Sequence, residues 1–323
     1  MHPFTRREFL KTAPLVAGSA RLTAKPWPPS LAPGPRERPP RPHLIFPTAP
    51  RERLAVSTWP FRAFMESPTN RGRDRRQPGM DLKAFPSMVA ERFNVPNIEP
   101  LAEHFASTDP AYLTALREAV EKAGSHIVDI PVSTRYSFYD SDLAGRERAI
   151  DVGKHWIGIA VAAGSPSIRI HIAGVHGVEP DVDRAAASLR RLADEGAAKN
   201  VIVNLENDDL VTEDAFFLVQ VIQKAHHPYL HALPDFCNSM MSGNADFDYR
   251  AMNALFPLAY NIAHMKDSEM DDRGKVYTID VSRTFAIAKS HGYRGYFSME
   301  WEGKGEPYAG TQRLIDESLK CLA

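Results

Sequence analysis

Four short apolar stretches in the second half of the chain each carry one side chain of metal-ligand type: Glu206 in 203–207, Asp235 in 233–238, His264 in 262–267 and Glu300 in 297–302. They are 29, 29 and 36 residues apart. Each interval has room for a strand end, a loop, a helix and the next strand. That is one βα unit, and four in succession make half of a (β/α)8 barrel. The C-terminal ends of parallel neighbouring strands share one rim, so residues far apart in sequence converge there. A lone polar residue at a strand end is commonplace. Four at βα spacing, each beside an apolar run, point to one shared task.

Three carboxylates and one imidazole make a mixed oxygen and nitrogen site. Such a set suits Mn²⁺, Mg²⁺ or Co²⁺ and admits Zn²⁺, since no thiolate selects strongly for zinc. Mn²⁺ is the expected ion. With Leu205-Glu206-Asn207, Asp235, His264 followed by Lys266-Asp267, and Glu300 in view, the chain over 54–323 resembles the sugar phosphate isomerase/epimerase group with a xylose-isomerase-like barrel. The resemblance implies one divalent metal held by Glu206, Asp235, His264 and Glu300 from strands five to eight. It also implies that Glu206 and Glu300 act as the acid/base pair, and that a Glu at the end of strand two, Glu99 here, lines the pocket. Two departures stand out. Ketose 3-epimerases of this group carry a histidine three residues after the metal-binding aspartate, where this chain has Asn238. The arginine expected shortly after the metal histidine has only Arg273 as a candidate.

At 323 residues the chain suits one barrel of about 250 residues, which folds as a single domain. The net charge of −1 hides an asymmetry: residues 1–53 hold ten Lys/Arg against three Glu, a net +7, so the remainder carries −8. An acidic main domain argues against a nucleic-acid partner, whose phosphates need a basic face. Cys237 and Cys321 are too few for a disulfide framework and are expected to be free.

Thr5-Arg6-Arg7-Glu8-Phe9-Leu10-Lys11 resembles a twin-arginine export signal. The apolar run after it, 13–20, is too short to span a bilayer and suits a cleaved leader, with Ala20 and Ala24 as candidate cleavage positions. The expected organisation is a signal over 1–24, a Pro-rich linker over 25–53 with ten prolines in 25–50, and a barrel over 54–323. Partners are then the twin-arginine machinery and a small carbohydrate, with no stable membrane span. The location is periplasmic or otherwise extracytoplasmic, and an oligomer is compatible.

In the barrel, strand one is expected over 54–61 and helix one over 82–93. Strands two and three fall at 94–101 and 125–133, with a helix between them opened by Asp109-Pro110. Helix three spans 143–163 and strand four 167–174. The later strands are expected at 201–207, 229–236, 261–266 and 295–301. Helices follow at 181–199, 213–225, 248–256, 281–291 and 312–322. Strand then helix, eight times, is the pattern of a parallel barrel. The insertion 62–79 holds the basic run Arg71 to Arg76. It reads first as a solvated surface loop and second as a lid gripping an anionic group.

Strand four alternates cleanly: Ile168, Ile170 and Ile172 on one face, Arg169 and His171 on the other. The isoleucines should pack on helices and Arg169 and His171 should face the substrate end, either as binding groups or as internally paired ones. The same parity sets Asn204 beside Glu206, Cys237 beside Asp235, Lys266 beside His264, and Ser298 and Glu302 beside Glu300. Lys266 could hold a substrate oxygen or pair with a ligand carboxylate. Asn238, Arg169, His171, Lys266, Glu302 and Glu99 thus form the expected substrate-binding set.

A divalent ion on two adjacent sugar oxygens acidifies the C–H beside a carbonyl, and a carboxylate on each side can take and return the proton. The expected activity is isomerisation or epimerisation of a keto-sugar through an enediolate. Dehydration of a keto-sugar or inosose starts from the same step and is the alternative. A non-catalytic exported sugar-binding protein would not need an intact ligand set. An apurinic-site endonuclease shares the barrel but needs a histidine-rich trinuclear zinc site. Here His264 is the lone histidine at a ligand position, and Asn238 replaces the histidine of that class's Asp-x-Cys-His motif.

Overall fold

The computed structural model describes residues 41–208, 214–242, 244–271, 273–303 and 305–323. The twin-arginine segment, its cleavage positions and residues 25–40 lie outside the described residues.

Among the described residues, eight α-helices alternate with short parallel strands. The strands are β1 (Leu54–Ser57), β2 (Asn97–Glu99), β3 (His126–Ile127), β4 (Pro131–Val132), β5 (Ser167–Ile170), β6 (Ile202–Glu206), β7 (Leu230–Leu233), β8 (Ile262–Met265) and β11 (Tyr296–Met299), with β9 (Ser268–Met270) and β10 (Val276–Thr278) forming a separate antiparallel hairpin. The helices are α1 (Phe85–Phe93), α2 (Pro110–Lys122), α3 (Leu143–Ala163), α4 (Val182–Lys199), α5 (Ala215–Ala225), α6 (Ala245–Leu255), α7 (Val281–Ser290) and α8 (Pro307–Leu322). Ladder order is β3-β2-β1-β11-β8 in one arc and β4-β5-β6-β7 in the other. The third barrel strand joins the arcs, because its halves β3 and β4 pair with β2 and β5 respectively. On the other side, the backbone bridge Asp235↔His264, with Phe236 N donating to His264 O at 3.1 Å and His264 N to Pro234 O at 3.0 Å, closes the ring.

Local sequence explains the helix ends. Side chains of Asp142, Asp181, Asp214, Asn244 and Asp280 accept backbone N–H groups at the starts of α3 to α7, satisfying donors that helix geometry orphans. Prolines at the first turns of α2 and α8 lose no hydrogen bond there. Asn94, Gly164, Asn200 and His226 end α1, α3, α4 and α5 in the left-handed region. Gly196 lets α4 close onto the barrel, since a Cβ there would sit 2.4 Å from Val201 O.

The barrel wall follows the alternation read from sequence. Ile168, Ile170 and Ile172 are buried in the main apolar core between strands and helices, each burial contributing about 2 kcal/mol. The interior is polar. Asn204 donates to Asp129 Oδ1 at 3.1 Å and Asn261 Oδ1 at 3.1 Å, while Asn261 donates to Ser167 Oγ at 2.8 Å and Ser167 Oγ donates to Asp129. Burial, with the Glu99 charge adding, pushes Asp129 up to about 7. This hydrogen-bonded layer is the floor beneath the rim, and Asn204 belongs to it. The expectation that Asn204 would stand beside the ligands fails for that reason: its side chain is committed to the layer below.

Three further expectations change. The segment 25–53 was expected to stand outside the fold, yet its described part packs on the N-terminal face of the barrel. Tyr260 Oη donates to Pro42 O at 2.9 Å and accepts from Leu44 N at 3.1 Å, Phe46 meets Tyr260 and Tyr296 edge-on, and Arg53 donates to Tyr293 O and Gly295 O. Helix eight begins at Pro307 rather than 312. The hairpin β9–β10 fills what was expected to be plain loop. The basic run in 62–79 is folded on itself: Arg73 pairs with Glu66 at 2.7 Å and Arg76 with Asp74 at 2.8 Å. No described helix is long and apolar enough to cross a membrane.

Candidate metal centre

Glu206 ends β6, Asp235 lies two residues beyond β7, His264 is inside β8 and Glu300 directly follows β11. All four are fully buried, and one ligand atom from each lies within 4.8 Å of all the others. The structure therefore brings together the residues that spacing had singled out.

Each group is aimed by its neighbours. Asp235 Oδ1 accepts from Cys237 N at 2.9 Å and Asn238 N at 2.8 Å, which turns Oδ2 toward the centre. Its backbone is clamped by Asn207, whose Oδ1 accepts from Asp235 N at 2.7 Å and whose Nδ2 donates to Asp235 O at 3.1 Å. The Nδ1 of His264 faces the cluster, 2.8 Å from Glu206 Oε1, 3.4 Å from Glu300 Oε2 and 3.8 Å from Asp235 Oδ2. Its Nε2 meets Glu99 Oε1 at 2.8 Å, and Glu99 Oε2 accepts from Ser298 Oγ at 2.7 Å. A proton on Nε2 shared with Glu99 leaves the Nδ1 lone pair for a cation, the carboxylate–histidine arrangement that orients metal-binding imidazoles.

The electrostatics suit a cation. Burial drives Asp235 up to about 7, with the charges of Glu206 and Glu300 adding and Lys266 and His264 opposing. Burial disfavours a charged His264, but the carboxylates of Glu99, Glu300 and Glu206 outweigh it and push the imidazole well up. The Oδ2 of Asp235 is buried and makes no hydrogen bond among the described residues. Ligands at right angles around an ion with 2.1 Å bonds lie about 3 Å apart, and opposite ones about 4.2 Å. The separations from His264 Nδ1 and the 4.8 Å envelope match that scale. The donor set fits a hard or borderline divalent ion.

Around the four lie two buried cations. Arg169 Nε is 2.9 Å from Glu206 Oε2 and its Nη1 is 3.9 Å from Asp208. Lys266 Nζ is 3.5 Å from Asp235, 3.3 Å from Glu300 and 2.7 Å from Glu269, and donates to Asn238 Oδ1 at 3.1 Å. Asn238 Nδ2 reaches Glu206 Oε1 at 3.4 Å, so it links Glu206 to Lys266.

Other expected residues stand differently. Glu99, expected to line the substrate pocket, is behind the His264 ring and fully buried. Glu302 turns to the rim: Trp59 Nε1 donates to it and Arg62 pairs with it at 3.0 Å, which ties the strand-one loop to the last strand. The strand ends at Met299, so parity no longer governs position 302. His171 Nε2 meets Thr134 O at 3.2 Å, and burial first, then Arg169, holds its ring below the usual imidazole value. Cys237 and Cys321 are free thiols, and burial raises both. Arg273 is exposed on the hairpin, its N–H donating to Asp271 Oδ1. Sequence reasoning missed Glu269 and His104. The latter is buried against Thr58 Oγ1 at 2.7 Å and held down to about 3 by burial and Arg62. Neither follows an apolar alternating run, the signal used for the other residues.

No curated protein matches the chain by sequence. Solved structures do match in fold. A xylose isomerase-like TIM barrel protein of Mycobacterium smegmatis, solved in complex with magnesium, aligns with a TM-score of 0.62 at 16% identity, over 85% of this chain and 99% of its own. An L-ribulose 3-epimerase aligns with a TM-score of 0.64 at 14% identity, over 84% and 95%. A D-allulose 3-epimerase of Methylomonas aligns at 0.64 and 12%, over 86% and 100%. At such identities the likeness speaks for the fold. A family model described as xylose isomerase-like TIM barrel matches residues 90–323, and the chain belongs to that family.

Proposed function

We propose that the protein is a divalent-metal-dependent isomerase or epimerase of a keto-sugar or sugar derivative, with Mn²⁺ as its working ion. The observation that carries this reading is the buried convergence of Glu206, Asp235, His264 and Glu300, with the two glutamates arriving from non-neighbouring strands β6 and β11. A divalent ion held there would stabilise negative charge on adjacent sugar oxygens and so acidify the C–H beside the carbonyl. Glu206 and Glu300 are the groups that take and return that proton, one from each side of the carbon. Asp235, with Oδ1 tied to the backbone, serves as a ligand. His264 does the same, its ring set by Glu99. Lys266, Arg169 and Asn238 supply the polar wall against which the substrate hydroxyls are fixed. Burial of the whole set excludes water, which strengthens each of these interactions.

A second reading is a dehydratase, in which the same enediolate expels a neighbouring hydroxyl as water. Asn238 favours it. It stands where ketose 3-epimerases have histidine, and it bonds to Glu206 and Lys266 rather than offering an imidazole. We further propose, from the Arg6-Arg7 motif in the amino-terminal sequence, that the protein works outside the cytoplasm and is delivered by the twin-arginine route.

The test is exchange of substrate C–H protons in D₂O, followed by NMR on a panel of neutral and phosphorylated keto-sugars, with metal-loaded wild type, Glu206→Gln and Glu300→Gln. Exchange lost in both variants supports the assignment. Full-rate exchange by Glu300→Gln refutes its acid/base role, and a product lacking one hydroxyl identifies the dehydratase.

A further inference from the structure

We propose that Lys266 and Glu269 form an exchange pair that sets how tightly the centre holds its divalent ion, with Glu269 as the positioning residue. This rests on the metal-site reading above.

The ammonium of Lys266 is fully buried and leans on Asp235 Oδ2 at 3.5 Å and Glu300 Oε2 at 3.3 Å. Asp235 Oδ2 is the oxygen that the turn at Cys237 and Asn238 aims at the centre, and Glu300 Oε2 is the one facing His264 Nδ1. Lysine and metal ion therefore address the same two oxygens, and their like charges repel at close range in a buried setting. Glu269 stands outside the four converging groups, yet it makes the shortest of the lysine's carboxylate contacts, 2.7 Å. It offers the ammonium a second counter-ion, so that Asp235 and Glu300 can give their charge to the metal.

The position of Glu269 is built. It pairs with Tyr277 across the hairpin β9–β10, and its Oε1 accepts from Met270 N at 3.0 Å. The foot of the hairpin is pinned by Asp267, which pairs with Arg313 of α8 at 2.7 Å. Cys237, two residues past the ligand Asp235, places its thiol 3.9 Å from Tyr277 O on the far strand. The hairpin is thus fastened on both sides to the rim that carries the centre, and it brings Glu269 to Lys266.

The experiment is a Mn²⁺ titration of the full chain by competition with a fluorescent chelator, beside thermal melts in EDTA. The proteins are wild type, Glu269→Gln, Glu269→Asp, Lys266→Met and Lys266→Met/Glu269→Gln. Losing the second counter-ion in Glu269→Gln weakens Mn²⁺ binding by about tenfold or more, and Glu269→Asp restores most of it. Lys266→Met tightens binding and lowers the melting temperature in EDTA, because the carboxylates lose their internal counter-charge. In the Lys266→Met background Glu269→Gln has no further effect, since it acts only through the lysine. Equal affinity in wild type and Glu269→Gln overturns the proposal, and so does a Glu269→Gln loss that persists without Lys266. Should Lys266→Met fail to fold, the Gln and Asp pair at position 269 still decides, as that side chain sits at the rim, 11% exposed. A wild type that binds no Mn²⁺ removes the metal reading itself; Mn²⁺ bound equally by all five proteins removes only the exchange pair.

Discussion

Asp248 on α6 is fully buried, and among the described residues neither of its carboxylate oxygens has a hydrogen-bond partner. Burial, with the Asp235 charge adding, pushes it from an ordinary 3.8 up to about 8. A group whose folded value is raised keeps the native state fully favoured below its unfolded value. It then withdraws that stability as pH climbs toward the folded value, because only the unfolded chain ionises in that window. Between pH 5 and 7 the difference is one proton, a slope of about 1.4 kcal/mol per pH unit and about 2.7 kcal/mol over the interval. Asp248→Asn keeps the shape and removes the titration. Its amide carries its own burial cost, on the order of 1–3 kcal/mol, but that cost does not change with pH. Urea denaturation at pH 5, 6 and 7, with chelator present so that the metal centre contributes alike, compares the two proteins. The wild type should lose about 2.7 kcal/mol more than Asp248→Asn from pH 5 to 7. Parallel curves would refute the reasoning and mean that Asp248 ionises freely in the fold.

Glu99→Gln should leave the fold intact and weaken Mn²⁺ binding about ten- to a hundredfold, since the His264 ring loses its charged partner; a chelator titration reads this directly. Asp235→Ala should abolish the roughly one equivalent of metal expected per chain, measured by elemental analysis after desalting. Tyr260→Phe should cost about 1–2 kcal/mol by cutting both bonds to the segment at Pro42 and Leu44, and should speed proteolysis near residue 45 while leaving metal affinity unchanged.

The four clustered residues were legible because each sits near the end of a strand behind an apolar run, once per βα unit, and the barrel turns that spacing into proximity. The Ile168/Arg169/Ile170/His171 alternation was legible for the same reason: parity along a strand decides wall or interior. Parity does not give depth. Residues two apart differ by about 6.6 Å along a strand, so Asn204 shares a face with Glu206 yet belongs to the layer with Asp129 and Asn261. Nor does parity hold beyond the last strand residue, which is why Glu302 pairs with Arg62 and Trp59 of the strand-one loop. The role of Glu99 depends on a contact with His264 across 165 positions of sequence, which no local pattern encodes. The hairpin β9–β10 has three-residue strands with Val276 exposed, too short for periodicity to register.

The segment 42–53 gives the domain a back and a front. It lies across Tyr260, Tyr293, Gly295 and Tyr296, residues at the starts of β8 and β11, whereas Glu206, Asp235, His264 and Glu300 gather at the opposite strand ends. The polypeptide therefore arrives at the rear of the barrel, and the rim that carries the four clustered residues lies on the far side. A chain held by its amino-terminal side would keep the rim with these four residues turned toward the surrounding medium.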